Sequence, residues 1–253
     1  MHDRLPALAL AALAFVQMAG AGTLSTVTPD RWVSVETVFD GDTFRTTNGE
    51  KIRLLGINAP EIRHDREPGE PLGERARSAL EAMIAGRTVR LRLDADRRDD
   101  YGRTLAQVYR KNGQWVNAAL VRRGLAHVYT FAPNFRWTPA LLAAEKRARR
   151  EHLGIWRTPR FRILEATDIH AAHIGQFRLV RGKVSQPKRW GFSLGALRVS
   201  IPRKYRRWFE AVSMPEKNSR VIVRGTIRAG RDGGLYLALH SPFDLEMEAT
   251  KTR

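Results

Sequence analysis

The sequence predicts an α+β fold, mainly β with helices, in two β-rich parts. Three observations carry that prediction. Short runs of alternating apolar and polar residues, bounded by Asn-Gly, Gly or Pro, recur along the chain and mark half-buried strands. Three longer runs place apolar residues at helical spacing and close on Gly. All three lie before Thr158-Pro159, and beyond that dipeptide strand patterns dominate. At 253 residues the chain has room for two small domains, each with its own core.

The elements follow in order. Arg4 precedes an apolar run from Leu5 to Val16, and the small residues Ala19-Gly20-Ala21 come after it. This is the order of a cleavable secretory signal over residues 1–21, with cleavage expected after Ala21 and a secreted or periplasmic location. The run is short for a membrane span, so an uncleaved N-terminal anchor is the alternative. No other segment is apolar enough to cross a bilayer, so no transmembrane segment is expected in the mature chain. Val33, Val35 and Val38 then recur in a strand broken by Asp40-Gly41-Asp42. Thr43 to Thr47 resumes as strand, Asn48-Gly49 is a two-residue hairpin signal, and Lys51 to Ile57 returns. That turn is expected to bring Asp42 and Asn58 towards each other.

Ile62 to Leu72 is polar, contains two prolines and reads as a loop. Gly73 to Arg87 reads as a helix, with Ala76, Leu80, Met83 and Ile84 on one face and Gly86 at the C-cap. Thr88 to Leu93 alternates Val89, Leu91 and Leu93 against Thr88, Arg90 and Arg92. Asp94 to Gly102 is a charged turn, Arg103 to Arg110 the next strand, and Val116 to Arg123 a short helix closed by Gly124. Thr138 caps a third helix, with Pro139 in its first turn, that runs to about His152. Five strands with a helix between the third and fourth describe an OB-type barrel over residues 32–157. Farther on, Gly175–Ser185, Gly191–Ile201, Arg220–Ala229 and Leu235–Leu239 read as strands, with a short helix over Pro202–Val212. Residues 165–248 are therefore expected to form a second small, OB-like β-rich domain.

Charge narrows the function classes. The net charge is +18, and from Thr158 onward 19 Lys and Arg face 8 Asp and Glu, or +11. Such a balance favours polyanionic partners, nucleic acid or an anionic membrane surface. There is no cysteine, which excludes disulfides and thiolate metal sites.

One stretch, Asp40 to Glu61, carries the chemistry. Asp42 offers a carboxylate, Asn58 an amide oxygen and Ala59 a backbone carbonyl, ligand types that calcium accepts. No His or Cys is near in sequence, which points away from zinc and copper. Plain turn chemistry is the alternative for each of these residues alone. Arg53 lies within the apolar run Ile52-Arg53-Leu54-Leu55, where a guanidinium needs an anion. Arg103 opens a later strand, and together the two could grip a phosphate, although structural ion pairs would explain them as well. Glu61, after Pro60, could take a proton from an attacking water.

Asp40-Gly41-Asp42-Thr43, Arg53-Leu54-Leu55-Gly56-Ile57-Asn58-Ala59-Pro60-Glu61, Asp100-Tyr101-Gly102-Arg103, the run from Val116 to Ala126 and Leu153-Gly154-Ile155-Trp156 together resemble the staphylococcal nuclease (thermonuclease) family. The resemblance spans about Val33 to Arg157. It implies an OB-fold barrel and a calcium-dependent phosphodiesterase acting on DNA and RNA. It also implies that Asp42, Asn58 and Ala59 hold the metal and Arg53 contacts the phosphate. Glu61 would be the general base, Arg103 would act on the phosphate in the transition state, and Tyr101 and Tyr129 would line the nucleotide pocket. The chain departs from the family at Asn58, where the usual ligand is a second carboxylate, so weaker calcium binding is expected.

Beyond the barrel, Arg203-Lys204-Tyr205-Arg206-Arg207-Trp208-Phe209 mixes cations and rings. Arg203, Lys204, Arg206 and Arg207 could contact nucleic acid. The other reading is an amphipathic helix with its rings in the core. A nucleic-acid-binding protein without catalysis is the alternative to the enzyme, and retention of Arg53, Glu61 and Arg103 together favours the enzyme. The expected partner is DNA or RNA, and no stable protein partner is implied.

Overall fold

A computed structural model describes residues 30–63 and 68–248. The predicted leader lies outside them. Among the described residues no helix is long and apolar enough to cross a membrane.

The first barrel opens with β1 (Arg31–Val38), β2 (Thr43–Thr46) and β3 (Lys51–Leu54). In β1 the alternation buries Val33, Val35 and Val38 and leaves Trp32, Ser34 and Glu36 exposed. The Asn48-Gly49 turn sets the register that pairs Thr43 with Arg53. A short β4 (Ile57–Asn58) and helix α1 (Gly73–Ile84) precede β5 (Thr88–Arg92) and β6 (Thr104–Arg110). Then come α2 (Val116–Arg122), β7 (His127–Val128), which pairs with β4, and α3 (Thr138–Arg150). The sheet closes in the order β1-β2-β3-β6-β5, antiparallel throughout except for the parallel pair β3 and β6.

The second part repeats this path. After β8 (Leu164–Glu165) come β9 (Phe177–Lys188), β10 (Gly191–Leu194), β11 (Leu197–Ser200), β12 (Arg220–Ala229), β13 (Leu235–Ala238) and β14 (Leu245–Met247). β9, β10, β11, β13 and β12 close into a ring, with β11 parallel to β13 and β12 antiparallel to β9. The expected OB-like second unit is therefore present, strand for strand in the order of the first. One expectation needs correcting. Gly191–Ile201 is two strands, not one, because Gly195-Ala196 is a tight turn with Gly195 at φ 58°. Apolar residues continue on both sides of so short a turn, so periodicity hides it. The helix expected over Pro202–Val212 is a 3₁₀ turn, Arg203–Phe209.

Each barrel has its own apolar core, and a third small cluster joins them. Ala148, Ile155, Trp156 and Phe161 pack with Leu179 of β9 and Ile222 of β12. Polar contacts cross the same joint. Arg224 of β12 meets Glu145 of α3 at 2.9 Å, with both side chains buried. Thr130 donates to Asp244 at 2.8 Å.

Asp244 makes this joint sensitive to pH. Burial pushes its carboxyl up to about 6, against the pull of Thr130 and of the His240 and Ser241 backbone N–H groups. The folded value lies above the unfolded value of 3.8, so the fold favours the protonated form. That stabilisation is complete below the unfolded value and is lost as pH rises through the folded one. The difference corresponds to about 3 kcal/mol. Chemical denaturation from about pH 4 to about pH 7 should show Asp244→Asn gaining ~2–3 kcal/mol relative to wild type. A constant difference across that range would rule this out.

Candidate active site

The hairpin and the loop after it tie Asp42, Arg53, Asn58 and Ala59 into one knot. Arg53 projects from β3 and is almost wholly buried, as is Asp42. Its Nη2 lies 3.0 Å from Asp42 Oδ2 and donates to Asn58 Oδ1 at 2.7 Å. Its Nη1 donates to the carbonyls of Leu54 and Ile57, each at 2.9 Å. Asp42 Oδ2 also accepts the Ala59 N–H at 2.7 Å, while the Asn58 amide nitrogen donates to the Ala59 carbonyl at 3.2 Å. Asp40 holds the turn by accepting the Asp42 N–H at 2.8 Å. Burial pushes the Asp42 carboxyl up to about 7; Arg53 pulls the other way and Asp40 adds to the rise.

Local sequence explains the closeness. A Cβ on Gly41 would lie 2.5 Å from that of Ala59 and 2.6 Å from that of Ala76. Only glycine lets the Asp40–Asp42 turn press against both the loop at Ala59 and α1. Glu61 is fixed through its backbone. Its carbonyl accepts from the Glu70 N–H at 2.8 Å and its N–H donates to Glu70 Oε2 at 3.2 Å. The Glu61 carbonyl also sits where a Cβ on Gly73 would be, so the start of α1 has to be glycine. Glu70 in turn pairs with Arg160, on the segment that leads to the second barrel.

Asn58, Glu61 and Tyr129 line one cleft of about 230 Å³. Its far wall comes from His127, Arg160 and, in the second barrel, Phe177 and Thr226. His127 stacks on Phe177 at 4.5 Å, and burial holds its imidazole neutral, down to about 4. Tyr129 meets Phe177 edge-on at 5.3 Å. Tyr101 and Arg103 do not line that cleft; they lie just before β6, whose Leu105 pairs with Arg53. Arg103 pairs with Asp99 at 2.7 Å and lies 5.4 Å over the Tyr101 ring, which is 84% exposed.

The knot thus joins four of the residues singled out in the sequence, and the cleft adds Glu61 and Tyr129. Arg203, Lys204 and Arg207 are exposed at the second barrel, while Arg206 Nε donates to the Ile201 carbonyl at 3.3 Å. Phe209 enters the core, and Trp208 packs on that core and meets Phe135 edge-on at 5.5 Å. Glu70, Arg160 and Phe177 were not expected at the cleft. They come from a polar loop, a linker and a distant strand, and no local pattern marks them.

The knot's donors are all oxygen: one carboxylate, one amide and one carbonyl. They suit a hard cation in kind and are poor in charge for one. Among the described residues no group of three or more His, Cys, Asp or Glu is placed to hold a metal.

Comparison with known proteins bears on the same region. The family described as "Staphylococcal nuclease homologue" matches residues 51–158 and stops before the second barrel. Thermonuclease of Staphylococcus intermedius is 33% identical over 125 residues, 48% of this chain and 74% of that protein. An uncharacterized endonuclease of Escherichia coli is 35% identical over 122 residues, 47% of this chain and 72% of that protein. The SPbeta prophage-derived endonuclease YokF of Bacillus subtilis is 35% identical over 129 residues, 49% of this chain and 43% of that protein. With most of a thermonuclease's length matched and the barrel that carries the knot in place, the chain belongs to the staphylococcal nuclease family.

Proposed function

We propose that the protein is a calcium-dependent nuclease that hydrolyses phosphodiester bonds of DNA or RNA. It would work outside the cytoplasm once residues 1–21 are removed, with a catalytic domain over residues 32–157 and a basic domain over 165–248. The observation that carries this reading is the Asp42–Arg53–Asn58 knot beside Glu61 and Tyr129. A buried guanidinium, hard oxygen donors and a carboxylate at a cleft mouth are what phosphate chemistry needs.

Asp42, Asn58 and Ala59 would hold the ion. Calcium held there would supply positive charge to the phosphate. Arg53 and Arg103 bind the nonbridging oxygens and offset the charge that grows on them as water attacks. Both guanidiniums are already oriented by carboxylates, Asp42 and Asp99, which each gives up in part on gripping substrate. Glu61 would accept the water's proton, a new P–O bond would form, and the bond to the leaving sugar oxygen would break, that oxygen taking a proton from solvent. Tyr129, held edge-on by Phe177, presents its ring to the nucleotide.

The test is cleavage of single- and double-stranded DNA and RNA across a calcium titration. Activity should vanish in excess chelator, and activity persisting there would overturn the reading. Asn58→Asp restores a charge to the donor set, so the calcium needed for half-maximal rate should fall by ~10-fold. An unchanged requirement would remove Asn58 from the metal site.

A further inference from the structure

We propose that the face of the second barrel around Trp190 and Tyr236 binds single-stranded nucleic acid, at a site separate from the catalytic cleft. The face is a cleft of about 720 Å³. Its floor is β10 and β11, and its rims are the β9–β10 loop and the β12–β13 loop. In a five-stranded OB barrel, the second and third strands with the loops joining strands one to two and four to five form the surface suited to an oligonucleotide. Here those elements bring together cations and rings and no carboxylate: Lys188, Arg189, Arg198 and Arg231 line the cleft, and none of its lining residues is acidic. The nearest acid, Asp232, is spent on Arg198 at 2.8 Å.

The rings are positioned. Trp190 and Tyr236 are half-buried, so their bodies are anchored while part of each stays open. The Arg189 and Arg206 guanidiniums each lie 5.1 Å from the Trp190 ring. Beneath them Phe192 and Val199 are locked in the core. A double helix would offer this cleft only phosphates and leave the rings unused. An unpaired strand offers phosphates to the cations and base faces to the rings, which is the combination such grooves recognise. The exposed cations of Arg203–Phe209 border the same barrel and extend the positive surface; of the rings in that run Phe209 is in the core, while the half-buried Tyr205 stacks on His240 at 4.6 Å and Trp208 meets Phe135 edge-on at 5.5 Å. Trp190 and Tyr236, unlike the rings of that run, line the cleft itself.

The choice of nucleic acid as occupant leans on the nuclease reading, but the site does not need catalysis, and the experiment separates the two. Full-length protein is titrated, in chelator so that nothing is cut, against a fluorescent oligothymidylate and against a duplex of equal length. Trp190→Ala and Tyr236→Ala should each weaken single-strand binding five- to a hundredfold, about what one stacked base contributes. Arg189→Glu should weaken it and lower the slope of log affinity against log salt by roughly 0.7, as one lost phosphate contact requires. Lys217→Glu, the same charge change at an exposed position away from the cleft, serves as the control. Melting temperatures report whether each variant folds; should Trp190→Ala unfold, the exposed Arg189→Glu still decides. Arg189→Glu behaving like Lys217→Glu overturns the proposal. So does an equal loss of duplex binding in the two ring variants, which would make the face a plain phosphate patch. Wild-type protein that binds no oligonucleotide assigns the face to another partner and also overturns it. Ring-dependent binding by a protein that never cleaves would sink the nuclease reading and leave this site standing.

Discussion

Glu61→Gln is expected to lower kcat by about 10²–10⁴-fold, the contribution of a positioned general base. KM and oligonucleotide affinity in chelator are expected to stay near wild type. The Glu61 backbone, not its side chain, makes the bonds to Glu70 that shape the loop, so the substitution leaves those bonds in place. Glutamine keeps the size and a carbonyl oxygen and loses the negative charge and the ability to take a proton. Arg53→Ala is expected to abolish activity too, yet it says less. It would leave the buried Asp42 carboxyl without its cation and release the Asn58, Leu54 and Ile57 oxygens together, so lost catalysis and lost structure would be confounded. Single-turnover cleavage at saturating calcium is the measurement. A loss below about fivefold is too small for a general base and would assign proton removal to another group.

Much of this site was legible in the sequence because it is local. Asp42, Arg53, Asn58 and Ala59 lie within one hairpin and its exit loop, and Asn48-Gly49 fixes which of them meet. The alternation in β1 and β5 and the apolar face of α1 were equally readable, since each element's burial follows its own period. What was hidden is non-local. Glu70 reaches Arg160 and His127 reaches Phe177 only after both barrels are built, and nothing in either segment's pattern encodes its partner. The engagement of Arg103 with Asp99 is local but invisible to pattern, because a charged turn offers several carboxylates at similar spacing.

Arg224 shows how far one physical rule extends. Arg53 stood out because a guanidinium in an apolar strand needs an anion. Arg224 sits in the same setting, after Val221-Ile222-Val223, and is fully buried. Its anion is Glu145, which it grips with both terminal nitrogens at 2.9 and 3.1 Å. Burial alone would raise the Glu145 carboxyl; Arg224, Arg149 and the Val128 N–H overcome that and hold it below the ordinary glutamate range. Glu145→Ala strands a buried cation and is expected to cost about 3–5 kcal/mol, read as a lowered denaturation midpoint. The double variant Glu145→Leu with Arg224→Met removes both charges and should recover most of that loss, because an apolar pair of similar volume is often as stable as the ion pair it replaces. A double variant as weak as the single one would mean that the pair is not held by its charges.

The same pair reaches the Asp42–Arg53–Asn58 knot. Glu145 Oε2 accepts the Val128 N–H at 2.6 Å, and Val128 belongs to β7, whose partner strand β4 carries Asn58. Loosening Glu145 therefore frees the strand that aims one of the proposed metal ligands. Glu145→Ala should raise the calcium needed for half-maximal cleavage, measured well below its melting temperature, and the apolar double variant should not restore it, since leucine offers β7 no acceptor. Stability and calcium requirement would then part company in the double variant. If both recover together, the joint between the barrels acts on the site only through overall stability.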